Sequence, residues 1–160
     1  LSASELLLFD VGAESEGYAA DISRTVAIGQ PSRRQQQVFD AIKEVQSYAY
    51  TLLRPGVTMK TYEEKVEHFM GEKLRELGLI QSIDRDAVRR YYPHATSHHL
   101  GLQVHDVSDR TAPLEENMVL TVEPGIYIPE ESIGIRIEDD VRITESGVEV
   151  LSSTLPAKLV

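Results

Sequence analysis

Asp10 and Asp21 flank the polar stretch of FDVGAESEGYAAD, which ends its turn-like part at Gly17. The apolar, β-prone segments 5–12 and 17–28 lie on either side of Glu14-Ser15-Glu16-Gly17, where glycine supplies a positive φ, so this region predicts a β-hairpin. With the turn centred between Ser15 and Glu16, the two aspartates sit directly opposite each other, their Cβ atoms ~4.5–5.5 Å apart. Like charges at that spacing destabilise a sheet unless a cation lies between them. The bland alternative is a solvated hairpin that tolerates the pair, and the hairpin by itself favours it.

The remainder of the chain shifts that balance. Four of the five histidines, His94, His98, His99 and His105, fall in PHATSHHLGLQVHD, while His68 stands alone on a helical stretch as an ordinary surface residue. In VLTVEPGIYI, alternation puts Val119, Thr121 and Glu123 on one face; in GIRIEDDVRI, Ile135 and Ile137 face one way and Arg136, Glu138 and Asp140 the other. Each acid alone is as readily solvated as functional. Together, Asp10, Asp21, Glu123 and Glu138 with an imidazole supply the many oxygens and single nitrogen that two hard-to-borderline divalent cations require. Such ions sit ~3.5–4 Å apart and are held by carboxylates that span both. The chain has no cysteine, so thiolate sites, disulfides and thiol nucleophiles are excluded together.

The elements that must position these groups follow from periodicity. Val38, Ile42, Val45, Ala49 and Leu52 recur at helical steps between Pro31 and Leu53, with Pro55-Gly56 as the stop. A second helix is expected from Thr61, with Thr61-x-x-Glu64 as a capping box, to Leu77, with Gly78 as its C-cap and Val66, Met70, Leu74 and Leu77 as its buried stripe. Residues 80–93 read as a loop with a short helical piece, and 98–106, 117–128 and 133–143 as strands. Helices between mostly antiparallel β segments make a single α+β domain. With 160 residues, 41% of them hydrophobic, the chain can bury one ordinary core. A net charge of -10 without a basic run opposes binding to nucleic acid or anionic membranes. No apolar run approaches the ~20 residues of a membrane span, and a cytoplasmic protein is the expectation. The chain starts with Leu rather than Met and runs at once into LLLFDVG, as the later part of a longer protein would.

From FDVGAESEGYAADISRT through HATSHHLGLQVHD and LTVEPGIYI to IGIRIEDDVRIT, the chain resembles the M24 "pita-bread" metallopeptidases, the family of aminopeptidase P, prolidase and methionine aminopeptidase. The resemblance implies a curved antiparallel sheet with covering helices and a peptidase catalytic domain of which residues 1–160 form the C-terminal portion, the upstream half being absent. It also implies that Asp10 binds one metal, that Asp21 and Glu138 bridge two, and that His98 and Glu123 complete the other, with manganese as the usual ion and cobalt or zinc as alternatives. By the same resemblance Glu123 transfers protons, His105 stabilises the developing oxyanion, His94 lines the substrate pocket and Arg136 lies beside the ligands. A regular strand would put His105 on the face opposite His98; Gly101 could allow a bend, but the sequence does not derive one. SHHLGLQVHD and IGIRIEDD look more like Xaa-Pro aminopeptidase than methionine aminopeptidase, implying peptide substrates with proline at the second position. Prolidase, acting on Xaa-Pro dipeptides, is the close competitor, and a non-catalytic metal-binding module of the same fold is the alternative from another class. A partial catalytic domain leaves an apolar sheet face uncovered, so a homo-oligomer or association with the upstream half is expected.

Overall fold

The computed structural model describes residue 3 and residues 5–159. Strands β1 (Leu6–Val11), β2 (Glu14–Ser15), β3 (Tyr18–Ala19) and β4 (Ile22–Ala27) make one long hairpin in which β1 pairs with β4 and β2 with β3, all antiparallel. Its turn residues are Glu16 and Gly17, both at positive φ, 53° and 86°, the pair of conformations that a tight two-residue hairpin turn demands. The turn is thus centred one residue later than the sequence predicts, and Asp10 pairs with Ser23 rather than with Asp21. A one-residue shift of the centre moves every partner by two. Because side chains alternate with period two, Asp21 stays on the face of Asp10 as its diagonal neighbour.

Three helices follow. Helix α1 (Arg33–Leu52) starts at a capping box formed by Ser32 and Gln35, and buries Val38, Ile42, Val45 and Ala49 as its periodicity predicts. Helix α2 (Met59–Glu76) begins earlier than expected. Its N-cap is Thr58, whose extended backbone turns its side chain to accept from Thr61 N. Thr61 is therefore inside the first turn, three residues past the cap. The short helical piece is α3 (Arg85–Tyr91), capped by Asp84.

The remaining strands are β5 (Val119–Val122), β6 (Gly125–Ile128), β7 (Ile133–Arg136), β8 (Asp139–Thr144) and β9 (Gly147–Val150), with a 3-10 turn at Pro129–Glu131. They form a three-stranded antiparallel sheet in the order β5-β8-β9 and a β6-β7 hairpin. The long strands expected over 117–128 and 133–143 each break in two. Pro124 has no N–H to donate to a ladder, and Glu138 N leaves the sheet to bond Ser23 O at 3.0 Å. Strand β9 escapes sequence reasoning, and 98–106 is no strand: only His99 forms a bridge, to Leu120. Gly101 lets the chain fold back there, with Asp106 N bonded to His99 O at 3.0 Å; a Cβ on Gly101 would meet Asp106 Oδ2 at 2.1 Å. The apolar face of α1 closes over Leu120, Ile126, Ile135 and Ile143, and α2 packs on α1, to make one core, in the α+β layering expected. The charged residues of β4, β7 and β8 lie where this layer meets the opening hairpin.

Candidate metal centre and active site

Asp21, His98 and Glu138 converge: one potential ligand atom from each lies within 4.8 Å of the others. Three separate elements deliver them. Asp21 stands at the entry to β4, its N–H donating to Asp140 Oδ2 at 3.2 Å. Glu138 is at the break between β7 and β8, buried and accepting from Ser23 Oγ at 2.6 Å. His98 sits in a loop clamped by α2, since the buried Glu63 carboxylate accepts from Thr96 N (3.0 Å) and Ser97 N (2.9 Å). Thr121 Oγ1 accepts from His98 N at 3.2 Å.

His98 Nδ1 lies 3.0 Å from His99 O. A carbonyl oxygen only accepts, so Nδ1 carries the hydrogen and Nε2 presents a bare lone pair to the cluster, the arrangement of a metal-ligating imidazole held by a backbone carbonyl. That Nε2 is 3.5 Å from Asp21 Oδ2 and 3.4 Å from Glu123 Oε1. Glu123 therefore joins the group from the end of β5. Asp10 is displaced toward the rim: it is exposed and its Oδ2 meets Arg136 Nη2 at 2.5 Å.

The acids strain against one another. Burial first, and then the Glu138 charge, push the Glu123 carboxyl up to about 8. Burial likewise lifts Glu138 to about 7, and Asp21 is raised by burial and by Asp10. Carboxylates crowded this way in a half-buried site carry an unmet demand for positive charge. An oxygen-rich set with one imidazole fits hard or borderline divalent cations.

His105 packs edge-on against His98 with ring centroids 4.4 Å apart, so the loop at Gly101 brings it to the cluster side. His94 is committed on both nitrogens. Nδ1 donates to Ala95 O at 2.9 Å, leaving Nε2 to accept from Tyr127 O–H at 2.8 Å, and Tyr127 in turn accepts from Arg136 Nη1 at 3.2 Å. Burial holds the His94 ring below the usual imidazole range, consistent with its neutral form. Arg136 thus links Asp10, Tyr127 and Ser23, to whose Oγ its Nε donates at 2.8 Å.

Sequence reasoning missed Ser23, Glu63, Thr121 and Tyr127. Signals for two of them existed. Ser23 has the parity of Asp21 along the strand, and Glu63 is an acid set into the apolar stripe of Met59, Val66 and Met70.

The profile of metallopeptidase family M24 matches residues 1–145. The chain belongs to that family. Xaa-Pro aminopeptidase 3 of Rattus norvegicus is 38% identical over 170 aligned positions, covering 97% of this chain and 34% of that protein. Xaa-Pro aminopeptidase of Escherichia coli (strain K12) is 40% identical over 172, covering 96% and 39%. Among solved M24 relatives, proline aminopeptidase P II from Yersinia pestis superposes with a TM-score of 0.91 at 38% identity, covering 99% of this chain and 41% of that one. A form of E. coli aminopeptidase P gives 0.88 at 39%, covering 96% and 39%. The fold is therefore the pita-bread architecture of aminopeptidase P, and the chain spans about two fifths or less of the length of these relatives. Among the described residues, no helix is long and apolar enough to cross a membrane.

Proposed function

We propose that this M24 chain is the metal-binding, C-terminal portion of an Xaa-Pro aminopeptidase catalytic domain, hydrolysing the bond between an N-terminal residue and a following proline. The observation that carries this is the convergence of Asp21, His98 and Glu138, with Glu123 3.4 Å from the imidazole. In this reading Asp21 and Glu138 would be the carboxylates shared between two divalent cations, with His98 and Glu123 as further ligands and Asp10, now paired with Arg136 at the rim, as the remaining one. Manganese is the ion this oxygen-rich set suits best; the similarity to a zinc-substituted E. coli aminopeptidase P supports zinc as an alternative. Bound cations supply Lewis acidity, polarising the scissile carbonyl and drawing the pKa of water toward neutrality.

The chain's own groups supply the proton traffic. Glu123, ionised when cations are bound beside it, accepts a proton from the attacking water and delivers it to the leaving nitrogen. A proline nitrogen has no N–H and leaves only when protonated, so this delivery is needed at every turnover. His105, exposed beside His98, donates to the developing oxyanion. His94, fixed between Ala95 O and Tyr127, shapes the wall of the pocket. On the opening hairpin Phe9, Val11 and Tyr18 remain exposed, a surface suited to the upstream part of the domain or to a second copy.

The test is manganese-dependent release of the first residue from an Xaa-Pro-Xaa tripeptide, with an Xaa-Pro dipeptide in parallel. Cleavage of the tripeptide supports the reading; cleavage of the dipeptide alone replaces it with prolidase. Inertness toward both, in a chain that binds manganese and is supplied with an upstream segment, rejects peptidase chemistry.

A further inference from the structure

We propose that Ser23 is a positioning residue for the cation site: its hydroxyl sets the Glu138 carboxylate for metal binding and ties it to Arg136. This rests on the metal centre proposed above. Ser23 is fully buried, and a buried hydroxyl left unpartnered costs free energy. Its partners are two residues of the site rather than the surrounding backbone. Its O–H donates to Glu138 Oε2 at 2.6 Å, and its oxygen accepts from Arg136 Nε at 2.8 Å. Thr25, the next residue on the same face, makes the contrast clear. Its Oγ1 bonds Arg136 N and Arg136 O, both at 3.1 Å, and so holds the edge of β7 in place without touching a charged side chain.

The geometry allows the hydroxyl and a cation to share one carboxylate. A carboxylate oxygen has two lone pairs, so Oε2 accepts from Ser23 and keeps a second pair for a metal. The hydroxyl also stands between Glu138 and Arg136. Arg136 Nε is 3.9 Å from Glu138 Oε2, and the serine oxygen occupies the guanidinium N–H that would otherwise turn to that carboxylate and compete with a cation for it. The other end of the same guanidinium holds Asp10. One hydroxyl therefore fixes the shared carboxylate directly and Asp10 through Arg136. Outer partners of this kind change metal affinity by about 10–100-fold when removed.

Manganese titrations by calorimetry, with ion content by elemental analysis, on the 160-residue chain decide it. Ser23→Ala is expected to bind manganese at least tenfold more weakly; its metal-free chain, with Arg136 Nε and Glu138 Oε2 left without their partner, melts somewhat lower but stays folded at the temperature of the titration. Ser23→Thr, which keeps the hydroxyl on a strand that suits β-branched residues, is expected to restore binding. Unchanged affinity in Ser23→Ala, or a Ser23→Thr chain as weak as Ser23→Ala, overturns the assignment. If the unsubstituted chain itself takes up no manganese, the metal-centre reading fails first, a result distinct from either of these.

Discussion

His98 enters the cluster with one nitrogen already engaged, and that fixes which atom faces the acids. The same pairing by hydroxyls runs through the site: Thr121 accepts from the backbone of His98 and Ser23 donates to the carboxylate of Glu138. Asp21 depends most on what it faces, because its carboxyl is raised by burial and by Asp10 and its Oδ2 lies 3.5 Å from His98 Nε2. Asp21→Asn removes an anionic oxygen on which the proposed metal centre depends, and elemental analysis is expected to find bound metal lost; unchanged metal content would refute the proposed sharing of Asp21 between two ions. His105→Ala is different in kind. His105 packs edge-on against His98 and is not among the proposed metal ligands, so the variant is expected to keep its metals and, if His105 is the oxyanion donor proposed above, lose about 10²–10³ in kcat. Unaltered turnover in that variant would remove His105 from the mechanism.

Among the elements, α2 has a double duty: it packs Val66, Met70 and Leu74 into the core and holds the His98 loop through Glu63. Glu63→Gln presents an amide N–H₂ to one of two buried backbone N–H groups, and an orphaned buried donor costs about 1–3 kcal/mol. Denaturant unfolding should show that loss, and the manganese isotherm should weaken alongside it because His98 is displaced. Thr58→Ala, by contrast, removes only the N-cap of the same helix, a little over one turn before Glu63 and without a bond to the His98 loop, and is expected to cost ~1 kcal/mol with the isotherm unmoved. A matching loss of metal affinity in both variants would show that α2 acts by general stability rather than through Glu63. The periodic stripes of α1 and α2 were legible because a helix repeats its buried face every few residues. The 98–106 segment was not, because its shape is set by the close approach of Asp106 to Gly101 and by a single bridge to β5.

The whole molecule carries the charge problem of its site. In the metal-free chain Glu123 is raised to about 8, Glu138 to about 7 and Asp140 to about 6, each by burial first. An unfolded chain gives up such protons near pH ~4.3. Between that pH and 8 the folded chain holds more protons than the unfolded one, so stability falls as pH rises. Melting in the presence of a chelator is expected to be higher at pH 5.5 than at pH 8.5. The net charge of -10 pushes the same way, so the diagnostic comparison is Glu123→Gln, in which the slope should flatten; an undiminished slope would assign the effect to overall repulsion. Manganese should reverse the trend, because its ligands bind it deprotonated and its affinity climbs through the same window.

Residue types and order sufficed to indicate an oxygen-rich site with one imidazole, because the acids are set into otherwise apolar, strand-like segments and the histidines crowd one short stretch. Local periodicity likewise specified both long helices, the hairpin and the class of fold. Which groups meet was decided only in three dimensions. A turn centred on Glu16 and Gly17 moved Asp10 opposite Ser23, a proline and a diverted amide broke two long strands at Glu123 and Glu138, and a hydroxyl far from Glu138 in sequence became its partner. Alternation along a strand reports the face a side chain takes, but distance across a cluster depends on register and on breaks, and those are settled by packing between segments that the chain brings together from far apart.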